Sequence, residues 1–144
     1  MLLKARFRKR AWYLIAFVAM IVAGLISRRF PQFLPASAGK YPGDALWALM
    51  VFFGLGAIFR NASSLRLGLG AFGFCFGIEV LKLCQAPWLA DVRHTTLGHL
   101  IFGYGFSWQN LVAYITGILT GLVVEFFIVP KSRRRQPLVA LTVS

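Results

Sequence analysis

A chain of 144 residues that is 58% hydrophobic, with only four acids against sixteen lysines and arginines, cannot furnish the mixed charged surface of a soluble domain. A formal charge of +12 would suit nucleic acid if it were gathered on one face, but here the basic residues flank apolar runs, where they anchor and orient membrane spans. Composition therefore argues against a nucleic-acid partner. It predicts an all-α integral membrane protein, with membrane lipids as its first partners.

A basic tail over 1–10 leads into the first apolar run, "AWYLIAFVAMIVAGLI", a span over about 11–27 closed by Arg28 and Arg29. At about 1.5 Å per residue it is short for a hydrocarbon core about 30 Å thick, and snorkelling arginines make up the length. Trp12 and Tyr13 fall where an aromatic belt would sit. The basic start, the apolar stretch and "ASA" at Ala36 to Ala38 also fit a signal peptide. Arg28 and Arg29 interrupt that pattern, so an uncleaved first span is expected. "KYPGD" is a turn signal ending in Asp44, which is placed as the N-cap of a second span over about 44–60. The third span covers about 65–84 and the fourth about 108–129, closed by Pro130 and a basic tail over 130–144.

Eleven basic residues fall on the side of both tails and the second loop, and five (Arg28, Arg29, Lys40, Lys82 and Arg93) on the other. That bias predicts that both termini lie in the cytoplasm. The outer segment over 85–107 contains a second apolar patch, "LIFGYGF", too short and glycine-broken to span. It is read as an interfacial or re-entrant segment before the last span.

On the third span Glu79 shares a helical face with Gly68, Phe72, Cys75 and Lys82, while Gly73 and Gly77 form a G-x-x-x-G on another side. Such a helix is expected at the centre of the bundle. The fourth span carries a stripe of Asn110, Tyr114, Gly117, Gly121 and Glu125, and its own G-x-x-x-G is expected against the third span. An ionised carboxylate facing lipid costs roughly 2.5–3.5 kcal/mol on insertion scales, so Glu79, about 7–8 Å inside the helix end, should face protein with a partner. Lys82, Arg93, Asn110 and Tyr114 are the candidates, and with Glu79 they form the candidate ligand-binding set. The plainer reading is a snorkelling Glu–Lys pair near a helix end.

Asp44, Asp91, His94 and His99 are secondary candidates. The spacing of Asp91, His94 and His99 matches no metal motif, so neither a metal nor a cofactor is expected. Arg93 lies at headgroup depth and suits an anion. Glu125 is placed as a partner of the arginine-rich tail. Cys75 and Cys84, about 13 Å apart along one helix, are too distant for a disulfide and are expected as buried thiols.

The stretches "GLISRRFPQFLPASAGKYPGDALWALMVF" and "GIEVLKLCQAPWLADVRHTTLGHLIFGYGFSWQNLVAYITG" resemble the bacterial membrane-protein family named domain of unknown function 2809. The specific pieces are G-K-Y-x-G-D-A-L-W-A, A-P-W-L-x-x-x-R and G-F-x-W-x-x-L-x-A-Y. The resemblance implies an envelope location and no particular chemistry. More distantly, the arrangement is similar to VanZ-like proteins, a family linked to glycopeptide resistance. There Glu79, Arg93 and Asn110 would stand for a late acid, an arginine and a polar residue opening the last span. Lys82 and Asn110 depart from the glutamine and the acid often found at those places, which weakens a paired-acid reading.

The expected function is binding of an amphipathic or lipid-linked envelope molecule in an outward-facing polar pocket. The alternatives are a hydrolase or transferase on a lipid-linked precursor, with Glu79 as general base, and a structural subunit that packs on a membrane-protein partner or a second copy of itself.

Overall fold

Helices form over each apolar run, and prolines and glycines set where they begin and turn. The structure is a computed structural model describing residues 9–128. Four long helices, α1 (Arg10–Arg29), α2 (Tyr41–Ile58), α3 (Ser64–Leu81) and α6 (Trp108–Ile128), are each apolar and long enough to cross a membrane. Two short helices, α4 (Pro87–His94) and α5 (Thr96–Phe102), lie between α3 and α6, so the described residues form an all-α, multi-pass membrane protein. The expectation placed on Glu125 and the arginine-rich tail involves residues outside those described.

The hub is α2, which packs against α1, α3 and α6. The two glycine pairs in the sequence had pointed to α3, yet Gly73 and Gly77 are exposed and a methyl group added at either would meet nothing within 4 Å. The G-x-x-x-G of α6 packs on α2 rather than α3. A Cβ at Gly117 would come within 2.1 Å of the Ala45 carbonyl oxygen, and one at Gly121 within 2.7 Å of the Phe52 ring. Periodicity identifies a face that admits close approach but not the helix that occupies it. Gly117→Ala is expected to push α6 off α2 and cost about 1–3 kcal/mol, the usual range for overpacking. Reversible denaturation in mild detergent checks this, and unchanged stability would show the contact to be loose.

Tyr13 likewise belongs to the core rather than to a belt. It is buried against Gly56 and meets the edge of Phe53 at 5.8 Å between ring centroids, while Trp12 stays exposed. Two helix ends also differ from expectation. Helix α2 starts at Tyr41, with Pro42 in the first turn, where its missing N–H costs nothing. Asp44 therefore lies inside the helix, and the capping position falls to Lys40. Helix α3 ends at Leu81, so Glu79 sits only two residues, about 3 Å, from its end. Cys84 consequently falls beyond the helix and is exposed; Cys75 is buried, and both are free thiols.

The outer segment folds as a corner. Thr95 caps α5 by accepting from Gly98 N at 3.0 Å. A Cβ at Gly98 would collide with the Val92 carbonyl oxygen at 1.7 Å, so only glycine fits the inside of this turn. On the outer side of α6, Thr116 and Thr120 return their hydroxyls to the carbonyls of Val112 and Thr116, which leaves no hydroxyl donor unmet on an exposed face.

Candidate functional site

The last turn of α3 presents Glu79 toward the start of α6 and the coil before it, where three donors of that region and one from Lys82, just past the end of α3, meet it. Lys82 Nζ donates to Oε2 at 2.6 Å and Tyr114 Oη donates to the same oxygen at 3.1 Å. Ser107 N donates to Oε1 at 2.8 Å and Asn110 Nδ2 donates to it at 2.9 Å. A carboxylate offers about four acceptor sites, and all are taken. Glu79 is 0% exposed, so it is a buried, paired and fully hydrogen-bonded charge that ties α3, the corner segment and α6 together.

Arg93, expected beside Glu79, does something else. Its Nη1 donates to the Cys84 carbonyl at 3.1 Å and its Nη2 to the Leu81 carbonyl at 2.8 Å. The guanidinium thereby caps the carbonyls left open where α3 stops. Tyr104 Oη in turn donates to the Arg93 carbonyl at 3.2 Å.

Beside the Glu79 cluster lies a polar cavity of about 330 Å³, lined by Arg28, Lys40, Asp44, Lys82, Asn110 and Tyr114, with Trp47, His99, Leu100, Ile101, Gly103 and Tyr104 completing the wall. Asp44 Oδ1 stands 3.7 Å from Arg28 Nη2. Its Oδ2, and Asn110 Oδ1, are buried with no hydrogen-bond partner. An apolar groove of about 350 Å³ adjoins the cavity, walled by Phe17, Met20, Gly24 and Leu25 of α1, Trp47 and Met50 of α2, and Leu97, Leu100 and Ile101 of α5. Arg28, Trp47, Leu100 and Ile101 line both spaces, so polar cavity and apolar groove lie side by side.

Of the residues singled out in the sequence, Glu79, Lys82, Asn110 and Tyr114 therefore come together, and Asp44 and His99 join them in the cavity wall. Asp91 and His94 are exposed and stand outside it. Among the described residues no three His, Cys, Asp or Glu side chains gather as a metal cluster. Arg28 and Lys40 were missed as site residues, having been read only as markers of membrane orientation. The signal was available: an antiparallel pair of spans joined by a short connection must set the end of the first opposite the start of the second, hence Arg28 near Asp44.

Fold and site together define a four-span helical membrane protein with a polar cavity at one end of the bundle. Residues 33–118 match the family described as Protein of unknown function (DUF2809), and the chain belongs to that family. The match takes in Lys40, Asp44, Glu79, Lys82, Arg93, Asn110 and Tyr114, and leaves out Arg28 on α1. No solved structure matches the chain. Of the three residues on which the likeness to VanZ-like proteins rested, Glu79 and Asn110 meet, whereas Arg93 binds backbone carbonyls.

Proposed function

We propose that this protein binds an anionic amphipathic lipid, with the headgroup in the polar cavity and a chain in the adjoining groove. The adjacency of the two spaces carries the reading: a charged chamber beside an apolar trough, with four wall residues in common, matches a headgroup joined to a chain. Arg28, Lys40 and Lys82 line the cavity, with Asp44 beside Arg28 and Glu79 paired to Lys82, so one positive charge is left in excess and an anion is favoured there. Glu79 serves by holding Lys82 in place. With both termini cytoplasmic in a bacterial inner membrane, the cavity would open on the outer leaflet. The groove's flanking residues Leu25 and Leu97 are exposed and apolar, which suits entry from the bilayer rather than from water.

The general-base alternative fares worse on geometry, because Glu79 has no acceptor site left for a reacting water. Gly24→Phe tests the chain half of the proposal. A Cβ at Gly24 meets nothing within 4 Å, and phenylalanine is the better helix former, so the change should fill the groove without harming α1. Added phosphatidylglycerol is expected to raise the melting temperature of the wild type in detergent and to have little effect on Gly24→Phe. Equal stabilisation of both proteins would contradict a chain in this groove.

A further inference from the structure

Resting on that lipid-binding reading, we infer that the headgroup is a polyol phosphodiester, whose hydroxyls donate to Asp44 Oδ2 and Asn110 Oδ1 while its phosphate meets Arg28, Lys40 and Lys82. The two unpartnered oxygens carry this. Buried acceptors are costly unless a donor reaches them, and both of these residues are buried in the wall of the same cavity. The orientation of the Asn110 amide follows from its neighbour. Glu79 Oε1 can only accept, so the Asn110 nitrogen must face it and the carbonyl oxygen must face away. One oxygen of Asp44 is already turned to Arg28, which leaves the other as the free acceptor.

The cavity thus asks for two things in one ligand: negative charge for its three cations, and neutral donors for two acceptors. A phosphate monoester lipid supplies the charge and carries no alcohol. A choline headgroup supplies no donor. An ethanolamine headgroup supplies donors, but on an ammonium that would stand among Arg28, Lys40 and Lys82, with Asp44 already shared with Arg28 and Glu79 with Lys82. Glycerol esterified to phosphate supplies one anionic charge and two hydroxyls. The groove beside the cavity takes the chain, and the bilayer is the source, so the occupant is a membrane glycerophospholipid of this headgroup class.

The test is a competition read by native mass spectrometry. Detergent-solubilised wild type and Asp44→Asn are each given equimolar phosphatidylglycerol, phosphatidic acid and phosphatidylethanolamine of matched chains. The wild type is expected to retain phosphatidylglycerol over each of the others by about tenfold, the worth of one hydrogen bond to a charged acceptor. Asp44→Asn keeps the size of the side chain and the cations, so it should still retain anionic lipid, with the preference for phosphatidylglycerol over phosphatidic acid reduced because the charged acceptor is gone and only amide oxygens remain. Equal retention of those two lipids by the wild type would overturn the inference, and that arm needs no variant to fold. A preference surviving intact in Asp44→Asn, or dominance of phosphatidylethanolamine, would overturn it as well. Failure of the underlying lipid-binding reading has a different signature, in which the wild type retains no anionic lipid at all.

Discussion

Glu79→Gln is expected to destabilise the folded protein by about 3–5 kcal/mol, the usual cost of removing one partner from a buried ion pair. Two effects add. The Lys82 ammonium, itself buried, loses the carboxylate 2.6 Å away. The new amide also turns one acceptor into a donor, and on either orientation that NH₂ confronts a group that can only donate: Ser107 N on one side, Lys82 Nζ on the other. Glu79→Gln combined with Lys82→Met should recover part of the loss, because the stranded charge is gone. Denaturation of the two single variants and the double variant in mild detergent gives the cycle. A loss below about 1 kcal/mol for Glu79→Gln would mean that the pair is no more than a surface contact.

The second large effect falls on Arg93. Arg93→Met removes two hydrogen bonds from a charged donor to the carbonyls of Leu81 and Cys84, each worth about 1.5–3 kcal/mol, so a loss of roughly 3 kcal/mol or more is expected. Arg93→Lys should restore less than half, since a single ammonium cannot reproduce the forked geometry. The change should be local as well as global, with faster amide exchange over α4 and α5, which hang from this cap. Normal stability with lipid retention abolished would instead return Arg93 to the ligand-binding role that its sequence position suggested.

How much of this was legible beforehand depended on the range of the interaction. Glu79 stood out because a lone carboxylate in an apolar run must find partners, and Lys82 at i+3 was reachable by local geometry alone. Asn110 and Tyr114 followed from their shared face on the last span. The four-helix fold and the corner segment followed from length and hydropathy. What failed was long-range choice. A glycine stripe does not name its neighbour: α6 does pack on α3 through Asn110 and Tyr114, but its glycine pair, expected there too, admits the Ala45 carbonyl and Phe52 of α2. Arg93 was set among the candidate partners of Glu79 and as an anion contact, whereas the stronger demand came from carbonyls exposed by a helix that stops at Leu81. Asp44 was set as a cap because a turn signal preceded it, yet Pro42 is tolerated in a first helical turn and the helix begins three residues earlier. That small shift moves Asp44 from the helix end into the cavity wall.

The most direct single measurement is native mass spectrometry of the wild type beside Arg28→Gln/Lys40→Gln, both released from gentle detergent in equimolar phosphatidylglycerol and phosphatidylcholine. Neither substituted residue touches the Glu79 cluster, and the Arg28–Asp44 pair that is lost is a long one at 3.7 Å to a half-exposed arginine, so the fold should survive while the cavity loses two of its three cations. The expected result is one anionic lipid held per wild-type chain through detergent exchange and its loss from the variant. Equal retention of the zwitterionic lipid by the wild type, or undiminished retention of the anionic lipid by the variant, would contradict a headgroup site in this cavity.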